Sequence, residues 1–308
     1  MPLTTESAAM LAKGTLMEVD YAGTDRFELA RAMRGGSAPP IPFENPPRTE
    51  DILIPGPYRP IPARVYTPDL PGPLPVAVSF HGGGWVIGSI AMDDYRCQNL
   101  ANDAGCVVVS IDYCLAPEHP FPAPVEECYA ATAWVADHAA ELGADAARIA
   151  VTGNSAGGNL AAAVALMARD RSGPAIGFQL LNYPVTDHDL DRPSYRENGV
   201  GYGLTTDAMR WFIEQYLPNP ADRGDPYALP MQARDLTGLP PALVISCEYD
   251  VLRDEGEAYG EALRAAGNAV TIDRYAGVPH GFLSMMPLCP ESGRAMKQGA
   301  AAMRAALG

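Results

Sequence analysis

RIAVTGNSAGGNLAAAVALMAR, residues 148–169, is the stretch from which the fold can be read. Arg148–Thr152 is a short apolar run with the composition of a strand. Gly157–Arg169 is rich in Ala and Leu, the strongest helix formers. Between them lies Gly153-Asn154-Ser155-Ala156-Gly157, which fits G-x-S-x-G. A strand that passes to a helix through so short a turn needs small residues two before and two after its centre. The hydroxyl of Ser155 then sits at a helix N-terminus, where the helix dipole favours developing negative charge. Chance alone would place this pattern in roughly one chain in ten of this composition, so the flanking strand and helix carry the weight.

The same grammar extends outward. Val76–Phe80 is an apolar strand that ends in His81-Gly82-Gly83-Gly84-Trp85. Glycines there let backbone N–H groups face a substrate oxygen unobstructed. A phosphate cradle is disfavoured, because neither a P-loop Lys-Ser/Thr nor a dinucleotide fingerprint follows. Cys106–Ile111, Gly177–Tyr183, Ala242–Cys247 and Ala269–Tyr275 are further strands. Pro124–Leu142, Glu255–Ala266 and Glu291–Ala306 are helices. Such alternation predicts an α/β fold, a parallel sheet with helices on both faces.

Upstream, thirteen prolines fall between Pro39 and Pro75, which restricts that stretch to edge strands at Asp51–Ile54 and Arg64–Tyr66 and extended links. Residues 1–38 read as helical, with a break at Gly35 and Gly36. Thr186–Pro218 interrupts the alternation and is longer than a strand-to-helix turn requires.

Asp250 and His280 each lie just past the end of a strand, as Ser155 does. An open α/β sheet gathers its site at those ends. Asp254 is the alternative acid, set aside because Asp250 is nearer its strand. His81 reads as a residue that pins its loop, and His119 and His138 as structural. Asp187-His188-Asp189 has metal-ligand side chains but no second cluster in register, so it reads as a solvated loop and no metal is expected.

The net charge of −15 and pI near 4.7 argue against nucleic acid and anionic membrane surfaces as partners. The longest uncharged stretch, between Asp69 and Asp93, is broken by Pro71, Pro73, Pro75 and the glycines at 82–84, so it cannot span a membrane as one helix. The N-terminus shows no signal-peptide pattern. The six cysteines form no C-x-x-C pair and read as reduced core thiols, which suggests a cytoplasmic protein.

HGGGW at 81–85, DYCLAPEHPFPA at 112–123, GNSAGGNLA around Ser155, LRDEG around Arg253 and HGF at His280 together resemble the hormone-sensitive-lipase branch of α/β-hydrolase carboxylesterases. The resemblance implies a mostly parallel eight-stranded sheet flanked by helices. It also implies a catalytic domain at 49–308, and a helical cap made from residues 1–48 and the insertion at 186–218. The implied reaction is hydrolysis of short- to medium-chain carboxylic esters without a cofactor. Ser155 attacks, His280 shuttles the proton and Asp250 orients the imidazole. Amides of Gly82, Gly83 and Ala156 hold the oxyanion. Trp85, Trp211 and Phe212 are candidate pocket residues, and a homodimer is possible by the same resemblance. Related plant gibberellin receptors have lost the triad His, whereas His280 is present here.

Three positions depart from the family pattern. Asn154 stands where Asp is usual, Cys114 where Arg is usual, and Val251 where Pro is usual. The lost acid at 154 and the lost base at 114 are expected to offset each other electrostatically.

Overall fold

The computed structural model describes residues 2–12, 19, 21, 23–34, 41–285 and 288–308. The expected break at Gly35 and Gly36 lies outside them. Eight strands form one sheet: β1 (Arg48–Ile54), β2 (Ile61–Thr67), β3 (Leu74–Phe80), β4 (Val107–Ile111), β5 (Ala144–Asn154), β6 (Ile176–Asn182), β7 (Ala242–Tyr249) and β8 (Val270–Pro279). Their spatial order is β1-β2-β4-β3-β5-β6-β7-β8. Only the β1–β2 and β2–β4 pairs are antiparallel, which suits the proline-dense edge where both strands begin the sheet.

Central strands are apolar on both faces because each face is covered. Val76, Val78, Val107, Val109 and Val151 join one core, under α4 (Ala123–Asp137), α5 (Ala156–Asp170) and α8 (Arg253–Ala265). The alternate residues Ala77, Val108, Ala150, Leu243 and Ile245 join the other, under α3 (Ile90–Ala104) and α9 (Pro290–Leu307). This is the period-2 alternation of a doubly covered sheet.

Helices α4 and α3 differ from expectation, and β2, β5 and β8 run longer than the expected strands. The helix α4 stops at Asp137, and hydrogen-bonded turns carry the chain to Gly143. The cause is His138, which leaves helical geometry at φ −111° while stacking on Trp134 at 4.2 Å. The left-handed Gly143 (φ 69°) therefore closes the turn beyond the helix and not the helix itself. Helix α3 was not among the elements read from the sequence. Its start is capped by the Ser89 side chain and its end by the left-handed Gly105.

At the N-terminus, α1 (Thr5–Leu11) and α2 (Arg26–Arg34) are separate helices. Between β6 and β7 stand α6 (Pro193–Asn198) and α7 (Thr206–Tyr216). Arg34 of α2 donates to the carbonyls of Val86 and Ala116, tying this segment to the loop after β3. All six cysteines are buried and unpaired. No helix among the described residues is long and apolar enough to cross a membrane.

Candidate active site

Sheet register brings the distant residues together. Pairing of Phe80 with Gly153 and of Asn154 with Asn182 levels the C-terminal ends of β3, β5 and β6. Pairing of Tyr249 with Pro279 does the same for β7 and β8. Asp250 and His280 are each the next residue, so they emerge side by side.

The turn at Ser155 is strained. Ser155 has φ 55° and ψ −119°, a region that costs a non-glycine residue on the order of 1–3 kcal/mol. Its amide donates to the Asn182 carbonyl at 2.9 Å, and its own carbonyl accepts from Asn159. Close packing explains the flanking glycines: a Cβ on Gly157 would stand 2.0 Å from the Phe80 carbonyl oxygen, and one on Gly153 would stand 2.2 Å from Gly157.

His280 Nε2 lies 3.0 Å from Ser155 Oγ, and His280 Nδ1 lies 2.7 Å from Asp250 Oδ2. The other carboxylate oxygen of Asp250 accepts from the Leu252 amide at 2.9 Å. Tyr183 packs edge-on against the imidazole, with centroids 4.9 Å apart. Asp254 is turned away; it pairs with Arg253 and accepts from the Ser194 amide of α6, both at 2.8 Å. His81 is buried and its Nδ1 lies 2.8 Å from the Gly82 carbonyl, while its own carbonyl accepts from Tyr113. Burial pushes the His81 imidazole below its ordinary range, so it is neutral and holds the loop.

Ser155 and His280 open into a cavity of about 390 Å³. Gly82, Gly83 and Gly84 form one wall, and Met10, Leu204, Met209 and Phe212 an apolar one. A roomier groove of about 600 Å³ beside Leu53 and Arg64 gathers no imidazole. Ala156 is the first residue of α5, directly behind the Ser155 turn.

The candidate pocket aromatics divide. Phe212 lines the cavity and packs on Gly84, where a Cβ would come within 2.4 Å of its ring. Trp211 is buried against Tyr21 and Phe212 and does not line the cavity. Trp85 is corrected outright: it is fully buried behind the loop, stacked on Tyr216 at 4.2 Å, with Nε1 donating to Asn159. Its positive φ of 60° turns the side chain inward, which the sequence pattern does not reveal. Met10, Met209, Leu204, Tyr183 and Asp93 are cavity residues that sequence reasoning missed. Tyr183 alone carried a signal, its place just past β6.

Two further expectations are corrected. Asp187 is not in a solvated loop, because it is buried and paired with Arg192 at 2.6 Å. Asn154 and Cys114 also have separate partners. Cys114 donates its amide to the fully buried Glu127 at 2.8 Å, and Arg59 reaches the same carboxylate at 3.3 Å. Arg59 thus supplies the base absent from position 114. Asn154 instead donates to Asp93 at 3.2 Å.

Glu255, in the LRDEG stretch, is buried under the insertion. One oxygen accepts from the amides of Thr186 and Asp187 and the other from Tyr195. Burial outweighs these donors and pushes its carboxyl up to about 8. Between pH 4.5 and 8 the unfolded chain therefore ionises this group while the native one keeps its proton, and stability falls as pH rises. Glu255→Gln should remove that loss, so its melting temperature should gain on the parent steadily from pH 5 to pH 8. A difference that stays constant over this range would contradict the assignment.

Residues 77–284 match the α/β-hydrolase-fold family. A carboxylesterase of Mycobacterium tuberculosis is 41% identical, over 94% of this chain and 92% of its own. A carboxylic ester hydrolase of the same organism is 45% identical over 83% of this chain and 70% of its own. A hyperthermophilic esterase from Pyrobaculum calidifontis superposes with a TM-score of 0.89 at 43% identity, covering 99% of both chains. The chain belongs to the α/β-hydrolase family, in its hormone-sensitive-lipase-like branch. It is a carboxylic ester hydrolase.

Proposed function

We propose that the protein hydrolyses short- to medium-chain esters of small molecules through an acyl enzyme on Ser155. The observation that carries this reading is the unbroken chain from Ser155 Oγ to His280 at 3.0 Å and on to the buried Asp250 at 2.7 Å. His280 takes the serine proton as Oγ attacks the ester carbonyl. It then returns that proton to the departing alcohol, and Asp250 stabilises the charged imidazole between the two events. The tetrahedral oxyanion rests on the amides of Gly82, Gly83 and Ala156, at the N-terminus of α5. Water activated by the same imidazole releases the acid.

The N-terminal segment, residues 1–48, and the insertion at 186–218 act as the cap over the catalytic domain at 49–308. Met10 from the first and Leu204, Met209 and Phe212 from the second close over the same cavity, which supports that division. A cavity of about 390 Å³ with a mainly apolar cap wall suits a compact neutral ester. An ethyl acetate hydrolase of Pseudomonas putida, 39% identical over 75% of this chain, fits the same substrate size.

A series of nitrophenyl esters from acetate to palmitate tests the reading. Rates should peak among the short acyl chains and fall steeply at palmitate. A maximum on palmitate, or no turnover of any ester, would contradict it.

A further inference from the structure

We propose that Asp93 and Arg96 of α3 form a positioning pair for the Ser155 turn, with Asp93 supplying from outside the turn the carboxylate that the family pattern places inside it at position 154. The inference rests on Ser155 being the nucleophile. Helix α3 packs on one face of the sheet, and its first turn presents Asp93 to the cavity wall beside Asn154. Both charged side chains are more than nine-tenths buried. Asp93 Oδ1 accepts from Arg96 Nε at 2.8 Å and from Asn154 Nδ2 at 3.2 Å, and Arg96 Nη2 also bonds Asp93 Oδ2. Arg96 Nη2 is fixed in turn by Ser79 of β3 at 2.6 Å.

The network continues to the nucleophile. Asn154 Oδ1 accepts from Asn182 Nδ2 at 3.1 Å, and the Asn182 carbonyl accepts the Ser155 amide at 2.9 Å. Asn154 thus stands between a carboxylate, to which it must donate, and an amide, from which it must accept. A side-chain amide does both, whereas an ionised carboxylate can only accept. A carboxylate at 154 would still accept from Asn182, but its second oxygen would face Asp93 Oδ1 across the present hydrogen bond. Two carboxylates so close share a proton or repel. The strained φ of Ser155 is held from this side by Asn154 and Asn182, so a disturbed Asn154 displaces Oγ from His280 without touching substrate.

The charge can be moved but not duplicated. Asn154→Asp alone should lower kcat about tenfold at pH 8, with KM changed less than about threefold. Its kcat relative to the parent should recover as pH falls to 6, because protonation lets the two carboxyl groups share a hydrogen bond. That pH dependence is not expected from a merely loosened structure. Asp93→Asn/Asn154→Asp, which returns one carboxylate and one amide to the cluster beside Arg96, should restore kcat to within about threefold of the parent and abolish the added pH dependence. A double variant no more active than Asn154→Asp, or an Asn154→Asp enzyme with parental kcat at pH 8, would overturn the proposal. Ser155→Ala measured in parallel separates the two readings: if it remains active the nucleophile assignment fails, whereas if it is inert and the swap does not rescue, only the positioning pair fails.

Discussion

Ser155→Ala should lower ester turnover by at least about 10⁴-fold while the protein stays folded. The change removes one oxygen. His280 Nε2, 3.0 Å away, then has no proton to take and no nucleophile to activate. The backbone strain at φ 55° is the same for alanine as for serine, so the turn gains no new cost. Its amide bond to Asn182 also survives. The expected protein melts within a few degrees of the parent, fails to release nitrophenol in a burst, and still binds ester in the cavity. A burst of parental amplitude from this variant would move the nucleophile elsewhere.

Asp250→Asn should cost about 10³- to 10⁴-fold in kcat, while Asp254→Asn should cost less than about threefold. The reason is the number of partners. Oδ1 of Asp250 accepts the Leu252 amide and Oδ2 faces His280 Nδ1. Asparagine has one acceptor for these two places. With its oxygen toward Leu252, its NH₂ meets Nδ1 and forces the imidazole proton onto Nε2. That nitrogen then faces Ser155 as a donor and cannot act as a base. Asp254 bonds Arg253 and α6 instead, so its loss should appear in melting temperature more than in rate. Equal loss of kcat in both variants would reject the distinction.

Much of this was legible because it is written locally. Apolar runs of five or six residues, separated by helices of ten or more, specify strands buried on both faces. Glycine spacing around Ser155 specifies a turn that only small residues can make. What escaped was decided by packing, although Ser89 and Gly105 mark the ends of helix α3 locally. Helix α3 carries Asp93, Asp94, Arg96, Gln98, Asn99, Asn102 and Asp103, so it reads as polar. It is helical because Cys97, Leu100, Ala101 and Ala104 pack against the sheet, while Asp94 pairs with Arg64 and Asp93 reaches the cavity wall. Trp85 beside the glycine run looks like a pocket residue until the positive φ of the loop turns it inward.

The sequence by itself determined the strand and helix order, the strained turn at Ser155, and the places of Asp250 and His280 past their strands, because each depends on residues a few positions apart. Tertiary structure alone decided which groups face one another. The pairing of Tyr249 with Pro279 sets Asp250 beside His280, thirty residues on. The crossing of α3 sets Asp93 beside Asn154, sixty-one residues on, and gives Arg59, not Asn154, to the cluster around Cys114. Electrostatic partnership is a matter of a few ångströms through space. Register and packing set those distances, and no spacing along the chain encodes them.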